Sequence, residues 1–193
     1  MNPDAKLVLD FWFGAPGAPE QGSTRAEWFR KDTAFDALIA QRFGPLIDAA
    51  LAGHLHEWTL NPWSSLARIL LLDQFTRNTL RDTARAFAGD AQALAAARAM
   101  VSARHDQGLL PVQRCFVYLP YEHAEDLAMQ NEAVRLFTEL EAAAPELSKL
   151  LDYALRHRNV IERFGRFPHR NAALGRVSTD VEVAFLNEPG SRF

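Results

Sequence analysis

Apolar residues recur at three- and four-residue intervals along the whole of this chain, and no run of strict alternation interrupts them. Such spacing gives each stretch one hydrophobic face when wound as a helix, whereas a half-buried strand needs a period of two. The pattern predicts an all-α fold.

Caps and breakers divide the pattern into elements. A first helix covers about Pro3 to Phe13 and stops at Gly14, before the loop APGAPEQGS. A second runs from about Thr33 to Leu51, with Phe35, Leu38, Ile39, Phe43, Leu46 and Ile47 on one face. Pro62 opens a third, capped by Asn61 and continuing to about Asn78. Asp90 is placed to cap a fourth, Ala91 to Arg104. A short fifth starts at Pro111 and ends before Pro120, and a sixth spans about Tyr121 to Ala142. The seventh, about Pro145 to Arg163, ends at Gly165, and Thr179 with Glu182 forms a capping box for a last short helix to Leu186. Helices joined by short loops imply antiparallel hairpins, stacked as a bundle or short solenoid in a single domain over residues 1–193.

Composition excludes several functions. A net charge of -3 argues against non-specific binding to nucleic acid or an anionic membrane. Cys115 is the only cysteine, so no intramolecular disulfide forms, and the acidic start MNPDAKLVLDFWFG lacks the basic region of a signal peptide. A cytoplasmic location is expected. Motifs for P-loop, dinucleotide, serine-hydrolase or zinc-protease chemistry are missing, and His123, His157 and His169 lack metal-site spacing, so no cofactor or metal is expected.

What stands out is polar residues in apolar places. Asp73 sits within ILLLDQF, where apolar side chains point nearly all round the axis, and Arg77 lies one turn on. His157 occupies the apolar stripe Leu150, Ala154, Ile161, Phe164. In YEHAED, His123 heads another stripe, with Glu122, Glu125 and Asp126 beside it. The segment FGRFPHRN follows; six arginines lie between Arg156 and Arg176 against one acid, Glu162. Pro168 biases Phe167 to an extended conformation, which would turn Phe167, His169 and Asn171 one way and Arg166 and Arg170 the other.

Two readings of this set lead, ahead of a metal site on His123, His157 and His169 with Glu122 or Glu125 and of an RNA contact with Phe164 or Phe167 stacking on bases. The acids Asp73, Glu122, Glu125 and Asp126 could meet Arg77, Arg114, Arg166 and Arg170 in a buried ion network. The same groups could hold a ligand, with Arg166 and Arg170 clamping a small anionic molecule and Arg77, Arg114, Glu122, His169 and Asn171 around it. An enzymatic version uses His157 or His123 as general base, oriented by Glu125 or Asp73, on an arginine-held ester or phosphate. A competing class is a protein-interaction module gripping a peptide on a concave helical surface.

The segments DFWFG, LLLDQFTRN, AFAGD, RCFVYLPYEHAED and HRNVIERFGRFPHRNAALGRVST together resemble the family catalogued as domain of unknown function 924, over almost the whole chain. That resemblance implies a tetratricopeptide-like α-α superhelix, although the repeat signature itself is not visible in the letters. It implies no activity, substrate or cofactor. Thr76 stands where the family usually has proline, and Ala124 where it usually has serine.

Overall fold

The computed structural model describes residues 1–191, and among them every regular element is helical. In chain order these are α1 (Pro3–Phe13), α2 (Thr33–Leu51), α3 (Pro62–Ile69), α4 (Thr76–Thr79), α5 (Asp90–Ser102), α6 (Pro111–Glu122), α7 (Leu127–Ala143), α8 (Lys149–Phe164) and α9 (Asp180–Leu186), with short 3-10 turns between several of them. No helix among the described residues is long and apolar enough to cross a membrane.

α6, α7 and α8 pack in sequence, each on the next, while α5 lies against α3 and α6. The short link between α6 and α7 returns the chain antiparallel to itself. Aromatic side chains fill the centre: Trp12 meets Trp28 at 5.9 Å, Phe75 at 5.2 Å and Phe116 at 5.6 Å between ring centroids.

Between α3 and α4 the chain is not α-helical. Leu70–Phe75 winds as a π turn, and all six of its residues are buried, as the all-round apolar pattern requires. The altered pitch leaves carbonyls for side chains to satisfy. Thr76 Oγ1 donates to Leu72 O at 2.8 Å, Arg77 Nη1 to Asp73 O at 2.8 Å, and Thr79 Oγ1 to Phe75 O at 2.7 Å.

Several boundaries differ from the sequence reading. Asp90 is the first residue of α5 and caps nothing; its carboxylate is drawn to arginines instead. α6 runs through Pro120 to Glu122, because a proline near a helix end removes only one hydrogen bond and His123 N still reaches Leu119 O at 2.8 Å. α7 starts at Leu127, capped by Asp126, whose Oδ1 accepts from Ala128 N and Met129 N. Asp126 is therefore a cap and not a member of an acid cluster. His123 closes α6 where the spacing had it open the next helix. Gly165 does end α8 in the left-handed conformation, φ 68°, and the Thr179–Glu182 capping box forms.

Candidate functional site

Six elements meet around Asp73. The π turn carries Asp73 itself, and α4 carries Arg77. The end of α6 carries Glu122 and His123. From α5 comes Asp90, from α8 His157, and from the 3-10 turn Pro168–Arg170 come His169 and Arg170. Gln130, fully buried on α7, pins the link behind His123 by donating to Glu122 O at 2.6 Å and Ala124 O at 2.7 Å.

Asp73 has no solvent exposure. His123 Nδ1 lies 2.7 Å from Oδ1, Arg77 Nη1 lies 3.1 Å from the same oxygen, and Gln74 Nε2 donates to Oδ2 at 2.6 Å. Burial works to raise this carboxyl, and Arg77 and His123 overcome that, holding it well below the usual carboxylate range. The contact with Asp73 makes Nδ1 the protonated nitrogen of a neutral His123, and Nε2 has no hydrogen-bond partner among the described residues. Burial, then the Arg77 charge, lowers the pKa of His123 against the pull of Asp73, so the ring is neutral at pH 7. The His123 side chain stays 13% exposed, which keeps it reachable.

Arg77 and Arg170 share Asp90. Arg77 grips it through both terminal nitrogens at 2.8 and 3.0 Å, while Arg170 makes one longer contact at 3.2 Å. The Arg170 guanidinium stacks against Phe167 at 4.4 Å and Phe87 at 4.8 Å from the ring centroids. It is 5% exposed, and its Nε has no hydrogen-bond partner. Burial, then the neighbouring Arg77 charge, pulls its pKa down to about 10. Deeper in, His157 Nδ1 lies 3.0 Å from Glu122 Oε1 and 2.9 Å from Tyr153 O, and Glu122 Oε2 is buried with no partner.

Of the residues singled out in the sequence, Asp73, Arg77, Glu122, His123, His157, His169 and Arg170 converge, and the others are engaged elsewhere. The 3-10 turn replaces the extended alternation expected after Pro168, so Arg166 and Arg170 part company. Arg166 binds Glu182 at 2.6 and 2.8 Å, and Asn171 Nδ2 donates to Ser178 Oγ and Glu182. The Arg166 hydrogen bond, helped by Thr179 N, brings Glu182 down to about 2. Glu125 orients no imidazole. It accepts from Phe167 N at 2.8 Å and from Arg176 at 2.7 and 2.9 Å, anchoring the loop. Arg114 donates to Tyr118 Oη, which in turn donates to Asp106 of the α5–α6 link. The sequence marks Asp90 only as a cap, and its place in the motif AFAGD is the one signal of a larger role.

The buried histidines make stability acid-sensitive. Burial, then the charge of Arg170, brings His169 to about 3, whereas in the unfolded chain it titrates near its ordinary value. Below about pH 6.5 the unfolded state therefore binds more protons and stability falls with pH; above it the group contributes no slope. His169 alone should cost about 1.4 kcal/mol per pH unit in that window, and His123, shifted in the same direction, adds to it. Urea unfolding at pH 7.5, 6 and 5 should show this decline, flattened in His169→Gln; equal slopes in the two proteins would contradict it.

Comparison with known proteins agrees with the fold. The family described as a bacterial protein of unknown function (DUF924) matches residues 8–190. A solved structure of a protein of unknown function, ATU0120 from Agrobacterium tumefaciens, superposes with a TM-score of 0.82 at 40% identity, covering 95% of this chain and 96% of that one. No curated protein matches.

Proposed function

The chain belongs to the DUF924 family of bacterial proteins of unknown function, and from that premise we propose that it binds a small anionic molecule, a carboxylate or phosphate, beside Arg170, Arg77 and His123. The carrying observation is the buried Arg170 guanidinium, which makes a single 3.2 Å ion pair and leaves Nε without an acceptor. A buried cationic donor with spare hydrogen-bonding capacity is costly unless something fills it, and a bidentate anion is the complement of its planar fork. His123 adds proton-transfer capacity. Its Nδ1 is fixed on Asp73, leaving the Nε2 lone pair to act as general base toward a bound ester or phosphate. The tetratricopeptide-like reading of the stacked hairpins and a cytoplasmic location belong to the same proposal.

A thermal-shift and NMR screen with small carboxylates and phosphate monoesters tests it. A true ligand at about a hundredfold its Kd should raise Tm by roughly 5–10 °C and move the His123 ring resonances. His123→Gln should keep the fold and bind more weakly. If neither compound class perturbs His123 or stabilises the protein, the proposal fails.

A further inference from the structure

We propose that a second site, formed where α5 turns toward α6 and faces α7, binds a small zwitterion carrying an ammonium and a carboxylate. A cleft of about 350 Å³ opens there, floored by Val101 and Leu136 and walled by Arg104, Asp106 and Arg135. Its size suits a small metabolite.

Two groups define what it would take, one buried and one at the rim. Asp106 is 1% exposed, and its Oδ2 accepts from Tyr118 Oη at 2.6 Å and Gln107 Nε2 at 2.7 Å. Its Oδ1 is buried and receives nothing. Tyr118 is itself held by Arg114 at 3.1 and 3.0 Å, so the carboxylate is fixed in place before any ligand arrives. A buried carboxylate oxygen without a donor is rare and unfavourable, and an ammonium is the natural donor to supply.

The second group is Arg104. Its backbone is left-handed, φ 57° and ψ 23°, a conformation uncommon outside glycine, and its exposed, solvated guanidinium stands at the rim of the cleft. Arg135, by contrast, is saturated by Glu132 and Glu139. The cleft thus presents one buried acceptor without a donor and, at its rim, one solvated cation able to turn toward a ligand. A simple amine would satisfy only Asp106, and a simple carboxylate only Arg104. A free α-amino acid carries both charges on one carbon skeleton.

The test is a calorimetric titration of the full chain with free α-amino acids, against the matched amines and carboxylates that lack the other charge. At least one amino acid should bind roughly tenfold or more tightly than either half-molecule. Arg104→Gly should weaken that binding by about the same factor while preserving the fold, because glycine adopts φ 57° without strain. Asp106→Asn, which keeps the acceptor to Tyr118, should weaken it likewise, and His123→Gln should leave it unchanged, separating this site from the first. Binding of no amino acid would overturn the proposal and leave Asp106 to a water molecule. Binding that ignores both Arg104→Gly and Asp106→Asn would overturn it equally.

Discussion

Gly89→Ala should destabilise the protein by about 3 kcal/mol or more, near or beyond the upper end of ordinary overpacking. An added Cβ would sit 2.3 Å from Leu72 O, 2.9 Å from Leu72 C and 3.0 Å from Leu72 Cα. All three are backbone atoms of the buried π turn, so no flexible side-chain end can swing aside. The φ of Gly89 is -88°, which any residue adopts; the need for glycine is close approach alone. Leu72 O already accepts from Thr76 Oγ1, so pushing it away strains the turn that presents Asp73. Retreat of α5 instead would pull Asp90 from Arg77 and Arg170. Gly44→Ala provides the contrast. Gly44 lies within α2 with nothing within 4 Å of its added Cβ, and alanine there should be neutral or stabilise by about 0.5–1 kcal/mol. Urea unfolding of both variants decides the matter: an unchanged midpoint for Gly89→Ala would show that the contact yields at little cost.

This contact also marks the limit of what the sequence discloses. Apolar spacing, Pro62 with Asn61, Gly165 and the Thr179–Glu182 box are local signals, and the helix ends they announce form where the sequence marks them, although the helix opened at Pro62 gives way to the π turn after Ile69. The burial of Asp73 was equally local, since apolar residues surround it on every side of the helix. The π turn was not legible, because it changes the hydrogen-bond register without changing the hydrophobic pattern. Nor was the sharing of Asp90 by two arginines, one of them eighty residues away, since charge pairing across such a separation is set by packing. Counting six arginines against one acid in the C-terminal segment overstated the free positive charge: Arg166 and Arg176 take Glu182 and Glu125 from outside that window. Arg170 and Arg176 each keep a buried Nε without an acceptor, but Arg176 is otherwise gripped by Glu125 and Phe167 O while Arg170 makes one 3.2 Å ion pair, a distinction that geometry alone draws.

Asp73→Ala should cost about 3–5 kcal/mol, the range for removing one partner of a buried charge pair. One carboxylate serves Arg77, His123 and Gln74 simultaneously, so its loss leaves three donors in a dry environment with only Asp90 to compensate the guanidinium. Asp73→Asn, which preserves volume and one acceptor, should cost less than the alanine change while still losing the charge. Because the folded-state carboxyl is held below its ordinary range, its contribution is present above the unfolded pKa and disappears as pH falls through the folded one. The stability gap between wild type and Asp73→Ala should therefore be widest near neutral pH and narrow under strongly acidic conditions. The ring of His123 supplies an independent readout. In the wild type Asp73 selects the tautomer protonated at Nδ1, and nitrogen NMR of the imidazole should show that preference weakened in Asp73→Ala. A variant that lost under about 1 kcal/mol and kept the wild-type tautomer would mean that Asp73 neither anchors this junction nor orients its histidine.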